Sequence, residues 1–233
     1  MSFLIRTWNV FHGNADPPRR HGYLQAMLEL ASADRPDALC LQELPVWSLL
    51  RIDDWTGMHA VRAITRPPLW PGRVSAWTTR LHQGLFRSAL AGQANAILVD
   101  RTYEVEDLGH ERISDSGRER RLVQAIRIDA RLVVANLHAT NDTRRPEVPS
   151  AELTRARLFA EGVARPGEPI VIAGDFNLRQ PNLRGYTEGS DGIDHILVCG
   201  AKTSDPFVWP IERRTQDGLV LSDHAPVDVK LSC

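Results

Sequence analysis

The sequence predicts a mixed α/β fold in one domain, residues 1–233, and three observations predict it. Short apolar runs bounded by Gly, Pro and Asp have the length of buried strands. Between some of them lie stretches with apolar residues at the spacing of a packed helix face. Polar residues recur where the strands should end, the place where open α/β sheets build ligand sites. With 233 residues and 42% hydrophobic content, the chain can bury one sizeable core. No internal repeat, low-complexity run or long linker divides it.

In chain order, residues 3–10 read as a first strand with Asn9 near its end, followed by a loop over 11–18. A helix is expected from about Arg19 to Ala33, with Tyr23, Met27 and Leu30 on one stripe and Leu24 and Leu28 beside it. Pro36-Asp37 stops it, and residues 38–44 form a second strand ending at Glu43. Such a strand–helix–strand unit implies a crossover or a comparable α/β pairing. From Pro45 to Gly92 the pattern loosens. Residues 73–89 read as helical, with Val74, Trp77, Leu81 and Leu85 on an apolar side and Arg73, Arg80 and Arg87 along another, read as a solvated face. Residues 94–99, 122–128 and 131–138 follow as strands, the last two a hairpin about Asp129-Ala130. The segment 107–121 is polar, with Arg118, Arg120 and Arg121, and 141–149 is a loop. A helix over about 150–164 has Leu153, Ala156, Ala160 and Val163 as its inner stripe and Ser150 as N-cap. The remaining strands are 170–173, 194–199 and 225–231.

The formal net charge of −1 supplies no global field toward nucleic acid or anionic membrane. Lys202 and Lys230 are the only lysines, so the basic residues are arginines, which suit bidentate phosphate contacts. Biased genome composition explains the same count. Cys40, Cys199 and Cys233 have no CxxC spacing and indicate neither a zinc site nor a disulfide framework. No leader or membrane-length apolar run is evident, so a soluble, cytoplasmic protein is expected.

The strand ends collect Asn9, Glu43, His138, Asp175, Asn177, Asp194, Asp223 and His224. Singly, each has an ordinary alternative: a turn residue, a surface strand end, a hydrogen-bonded core histidine or an Asx turn. Together on one sheet edge they imply a shared pocket. Glu43 and Asp223, with the amide oxygen of Asn9, offer hard oxygen ligands that suit Mg²⁺ or Mn²⁺ better than zinc. His138 and His224 can hydrogen-bond or protonate phosphoryl oxygens. Asp175 beside Asn177 can hold and deprotonate a water. The sum is metal-assisted hydrolysis of a phosphate ester. No Gly-rich phosphate loop or GxSxG elbow competes with it.

The series Thr-Trp-Asn9-Val, Leu-Gln-Glu43-Leu, Asn-Leu-His138-Ala-Thr, Gly-Asp175-Phe-Asn177, Gly-Ile-Asp194-His-Ile and Ser-Asp223-His224-Ala-Pro resembles the endonuclease/exonuclease/phosphatase superfamily, in order, from residue 7 to 226. The resemblance implies the deoxyribonuclease-I-like four-layer α/β sandwich, with two packed, mainly antiparallel or mixed sheets flanked by helices. It implies Glu43 as principal metal ligand, with Asn9 and Asp223 close to the same ion. Asp175 would orient or deprotonate the attacking water, helped by Asn177. His224, oriented by Asp194, and His138 would contact the phosphate, His138 in the manner of the branch that holds deoxyribonuclease I, sphingomyelinases and inositol-phosphate phosphatases. Two departures stand out: only 16 residues separate Asn177 from Asp194, and 66–92 looks like an addition. The acidic partner expected for His138 has no evident candidate.

Three functions are then weighed. A Mg²⁺-dependent phosphodiesterase acting on DNA or RNA follows from the motifs and from Arg118, Arg120, Arg121, Arg144 and Arg145. A phosphohydrolase of a small or lipid phosphoester follows from the short 177–194 connection. A non-catalytic binding module predicts erosion of the polar set, and none is eroded.

Overall fold

The computed structural model describes residues 2–18, 22–70, 73–81, 90–115 and 120–232. In chain order its main elements are β1 (Ser2–Asn9), β2 (Ala15–Asp16), α1 (Leu24–Ser32), β3 (Ala38–Leu44), α2 (Ile52–Thr56), β4 (His59–Arg66), α3 (Arg73–Leu81) and β5 (Gln93–Val99). Then come β6 (Val105–Arg112), β7 (Leu122–Ile128), β8 (Leu132–His138), α4 (Glu147–Val163), β9 (Ile170–Asp175) and β10 (Asp194–Cys199). The chain closes with the short β11 (Lys202–Thr203), β12 (Phe207–Val208), β13 (Thr215–Gln216) and β14 (Leu219–Leu221), then β15 (Val227–Ser232).

Two sheets pack face to face. One runs β11-β15-β1-β3-β5-β4, with β12 also on β15; the other runs β10-β9-β8-β7-β6. Among the described residues, only the β1–β3 and β8–β9 pairs of these sheets are parallel, and each joins strands separated by a helix. The two-residue period of the strands explains the layering. Phe3, Ile5, Cys40 and Ile97 of the first sheet meet Ile126, Val134, Val171 and Ile196 of the second in one inner core. Trp8, Leu39, Leu41 and Leu98 point outward from the first sheet and are covered by Met27, Leu28 and Ala31 of α1. Ala135, Leu137, Ile172 and Leu197 point outward from the second and are covered by Leu153, Ala156 and Ala160 of α4. Strands buried on both faces read as continuous apolar runs, which is why they were visible in the sequence. The result is helix, sheet, sheet, helix. No helix among the described residues is long and apolar enough to cross a membrane.

Several expectations change. The polar stretch after 107 is in part β6, an edge strand paired only with β7, and edge strands tolerate charge. β4 lay hidden because, of its alternate buried positions Val61, Ala63 and Thr65, only Val61 is a sizeable apolar residue, and Ala60 shares the other face with exposed Arg62 and Ile64. Helix α4 begins at Glu147 with Pro146 at its N-cap position, so Ser150 is inside the helix. Helix α1 begins at Leu24, and residues 19–21 of the expected helix lie outside the described part. The apolar side expected to pack α3 points out: Ser75 and Thr79 are buried, whereas Val74 and Trp77 are exposed. Arg73 is exposed, while Leu85, Arg87 and Arg118, and the side chains of Arg80 and Leu81, lie outside the described part.

Candidate active site

Strand register assembles half of the site. His138 pairs with Asp175 across β8–β9, and Asp175 pairs with Asp194 across β9–β10. Three polar side chains therefore stand in a row on one edge. Gly174 permits this register: its φ is +143°, and a Cβ there would lie 1.9 Å from the carbonyl oxygen of Leu137. The facing sheet supplies Asn9 at the end of β1 and Glu43 near the end of β3. A register shift between Leu41 and Leu44, with φ +57° at Glu43, turns that carboxylate toward the row. The loop bearing Asp223 and His224 is tied to β1, since Ser222 Oγ donates to the Asn9 carbonyl at 2.7 Å and Trp8 Nε1 to the His224 carbonyl at 3.0 Å.

The groups converge. His138 Nε2 is 3.8 Å from Glu43 Oε1 and 3.4 Å from Asp175 Oδ2, and His224 Nε2 is 3.9 Å from the same Asp175 oxygen and 4.0 Å from Asp223 Oδ1. Asn9 Nδ2 donates to Asp175 Oδ2 at 3.0 Å, and the Asn177 backbone N–H donates to Asp175 Oδ1 at 3.0 Å. The Asn177 side chain donates to the Ala139 carbonyl at 3.0 Å and so braces the loop after β8. Asp194 Oδ2 lies 2.8 Å from His224 Nδ1. All eight strand-end residues thus belong to one constellation.

Burial and the neighbouring Asp194 carboxylate push the Asp175 carboxyl up to about 7. For His224, burial works downward, but the hydrogen bond and charge of Asp194, with Asp175 and Asp223 behind it, raise the imidazole to about 10. It is an imidazolium at neutral pH. Burial, then the charge of Arg121, hold His138 well below the ordinary histidine range, so it is neutral. Burial raises Asp223 as well, with Glu43 adding to the effect.

Three contributors were missed or misread. Arg121 Nη1 is 2.9 Å from His138 Nδ1, and Gln93 Nε2 is 3.4 Å from the same nitrogen. A guanidinium only donates, so Nδ1 accepts and the His138 proton sits on Nε2, facing Glu43 and Asp175. The acidic partner expected for His138 is thus replaced by two N–H donors. His12 Nε2 lies 3.5 Å from Glu43 Oε2. Counting the expected hairpin back from its two-residue turn, 128 opposite 131, puts residue 121 opposite His138, which singles out Arg121. The observed register, Ile128 opposite Leu132, is shifted by one, and Gln93 comes from the other sheet and has no such signal.

The donor set fits a hard divalent cation. Glu43, Asp175, Asp194 and Asp223 crowd one pocket, where burial first, and a neighbouring carboxylate second, raise the Asp175 and Asp223 carboxyls. Asp194 Oδ1 is buried and has no hydrogen-bond partner among the described residues. Asp175, Asp194 and His224 offer ligand atoms within 4.8 Å of one another and could hold a metal ion.

No curated protein sequence matches the chain. Among solved structures, TDP2 from C. elegans is 16% identical with a TM-score of 0.69, over 100% of this chain and 76% of that one. An endonuclease/exonuclease/phosphatase from Beutenbergia cavernae DSM 12333 is 15% identical with a TM-score of 0.71, over 99% and 71%. A functionally unknown conserved protein from Enterococcus faecalis V583 is 17% identical with a TM-score of 0.68, over 98% and 99%. These likenesses show a shared fold. Residues 7–224 match the model of the Endonuclease/Exonuclease/phosphatase family, and the chain therefore belongs to that family, whose members are typically divalent-metal-dependent phosphoester hydrolases.

Proposed function

We propose that the chain is a metal-dependent phosphodiesterase that cleaves DNA or RNA by in-line attack of an activated water. The observation that carries the proposal is the line of contacts Glu43–His138–Asp175–His224, in which each step is under 4 Å and acid, neutral imidazole and imidazolium alternate. Glu43, with Asp223 and the Asn9 side-chain oxygen, would hold Mg²⁺ or Mn²⁺. We assign the ion there because His224, protonated and bound to Asp194, has no free nitrogen pair to give a metal on the other side of the pocket. The bound ion supplies charge neutralisation and Lewis acidity at a phosphoryl oxygen.

Asp175 is the base. Its oxygens are fixed by Asn9 and by the Asn177 backbone, and its raised pKa suits proton acceptance near neutrality. His224, a cation held by Asp194, donates to a non-bridging phosphoryl oxygen as negative charge develops there. His138 offers Nε2–H to a second such oxygen. Because it is neutral before reaction, it serves as a fixed donor and not as the acid for the leaving group.

A panel of single-stranded DNA, RNA, plasmid and small phosphodiesters, each with Mg²⁺, Mn²⁺ or chelator, tests the proposal. Metal-dependent cleavage of nucleic acid, lost on Asp175→Asn, is expected. Turnover of small or lipid phosphoesters without nucleic acid cleavage would favour the phosphatase reading instead. No hydrolysis of any member with either metal would overturn both.

A further inference from the structure

His12 has no part in the chemistry above, yet the backbone is distorted to place it. Phe11, His12 and Gly13 have φ of +46°, +52° and +80° in succession. Left-handed backbone at two successive non-glycine residues is strained, and such strain concentrates at functional sites. One side of His12 faces Glu43 at 3.5 Å. The other lines a cleft of about 240 Å³ together with Trp47, Trp55, Arg51, Leu24 and Thr79.

This cleft has a specific chemistry. Trp47 and Trp55 meet edge to face, with centroids 6.1 Å apart and planes at 79°, and both are half-buried. Trp47 Nε1 donates to Thr79 Oγ1 at 3.1 Å, which fixes its indole plane. Arg51 is exposed at the rim and, among the described residues, has no ion-pair partner. The volume is below the roughly 300 Å³ at which pockets begin to take drug-sized ligands and suits one ring system. Aromatic side chains beside an unpaired cation are the means by which single-stranded nucleic acids are held.

We infer that this cleft seats the unpaired nucleobase of the nucleotide adjoining the scissile phosphate, which makes a single strand or a frayed end the substrate. The inference rests on the phosphodiesterase reading and names its substrate class. Trp47 lies only four residues beyond Glu43, so base seat and phosphate centre are joined by a short rigid segment. A base held in a duplex stack cannot enter without paying for its extrusion. A second cleft of about 800 Å³ shares Trp47, Arg51 and Ala76 with the first and continues past exposed Arg73 among mainly apolar residues, Arg62 there being paired with Asp53. Arg51 and Arg73 thereby supply locally what a net charge of −1 does not.

Two measurements test it. In chelator, tryptophan fluorescence of the full chain is titrated with AMP and with ribose 5-phosphate. AMP should quench and saturate, ribose 5-phosphate should not, and AMP affinity should fall about tenfold or more in Arg51→Ala and Trp55→Ala. With metal, the parent should cleave an ordinary oligonucleotide about tenfold faster than one with a tetrahydrofuran abasic residue beside the cleavable linkage, and the ratio should collapse toward one in both variants. Parental AMP affinity and parental base preference in the variants, or a blunt duplex cleaved as fast as a single strand, would overturn the inference. If the parent cleaved no phosphodiester at all, the proposed function would fall, while AMP titrations of Arg51→Ala, whose side chain is at the surface, would still decide whether the cleft binds a base.

Discussion

Arg121 reaches the back of His138: its Nη1 lies 2.9 Å from Nδ1 of the imidazole, on the side away from Glu43 and Asp175. The usual orienting partner of a phosphate-site histidine is a carboxylate, which invites the ring to become charged. Here the positive charge is carried permanently by the guanidinium, and the ring is locked as the Nε2–H tautomer.

Removing that lock has a definite expected outcome. Arg121→Met should lower kcat by about ten- to a hundredfold, the equivalent of the roughly 1.5–3 kcal/mol of one hydrogen bond to a charged group. Arg121→Lys, which keeps a donor, should recover part of it. Imidazole ¹⁵N shifts of His138 separate positioning from packing. In the parent Nδ1 should show the shift of an acceptor nitrogen, and in Arg121→Met the two tautomers should mix. An unaltered tautomer with unaltered kcat would remove Arg121 from the site.

The two raised groups predict how stability of the metal-free protein changes with pH. His224 titrates near 10 when folded against an ordinary 6.5, so its contribution is complete below about pH 6.5 and is lost as pH rises toward 10. Asp175, raised from 3.8 to about 7, favours the protonated folded state, so its contribution is likewise lost as pH rises through that interval. Thermal melts in chelator should therefore show a stability margin of the parent over His224→Gln that is largest below pH 6.5 and closes toward pH 10. Asp194→Asn should flatten the same curve. A margin that widened with pH would refute the assigned imidazolium.

Gly174 and Gly57 make a matched pair. Both have positive φ, +143° and +69°, but an added Cβ at Gly174 meets the Leu137 backbone, while at Gly57 it meets nothing within 4 Å. Gly174→Ala should cost on the order of 3–5 kcal/mol, the range of the most damaging single substitutions, because the β8–β9 register must move. Gly57→Ala, at the left-handed residue after α2, should cost about 1 kcal/mol. Denaturant melts of the two variants measure the difference directly.

A buried polar bridge joins the two sheets just behind the site. Gln42 Nε2 donates to Asn136 Oδ1 at 2.8 Å, and Asn136 Nδ2 lies 3.0 Å from the carbonyl oxygens of both Leu41 and Ala96. Gln42 adjoins Glu43, and Asn136 is two residues before His138, so the bridge sets the spacing of the halves. Asn136→Leu strands these partners at about 1–3 kcal/mol per buried unsatisfied group. Stability should fall on the order of 3 kcal/mol, and kcat should fall with it in protein that remains folded, as read by melts and steady-state rates.

How much of this was legible follows from where the information resides. Strands buried on both faces, such as 38–44 and 170–175, announce themselves through apolar runs, and their polar ends were therefore visible. Edge strands β4 and β6 were not, because small or charged residues satisfy a strand with only one neighbour. Asp175 and Asp194 could be nominated singly, but their contact depends on antiparallel register, which local pattern does not encode. Arg121 reads in the sequence as one arginine among several, since its meaning comes from the ring it touches. His12 reads as a loop residue, because backbone strain has no signature in residue type there. The outward apolar side of α3 misled, since amphipathic spacing identifies a helix face without saying what covers it.

The location of the ion is the sharpest remaining consequence. Two groups compete for it: Glu43 with Asp223 and Asn9, and Asp175 with Asp194 and His224, whose ligand atoms fall within 4.8 Å of one another. The second would have to strip the Nε2 proton from an imidazolium raised to about 10, which the 2.8 Å contact of His224 Nδ1 with Asp194 helps to keep charged. The first has only to neutralise carboxylates that already repel. Calorimetric titration with Mn²⁺ at pH 7, without substrate, should show affinity falling at least about tenfold in Glu43→Gln and Asp223→Asn, the scale expected when a direct ligand is lost. His224→Gln should leave it nearly unchanged, or strengthen it by removing a positive charge. Affinity insensitive to Glu43→Gln but abolished by His224→Gln would move the ion across the pocket, and Asp175 would then be a ligand instead of the base.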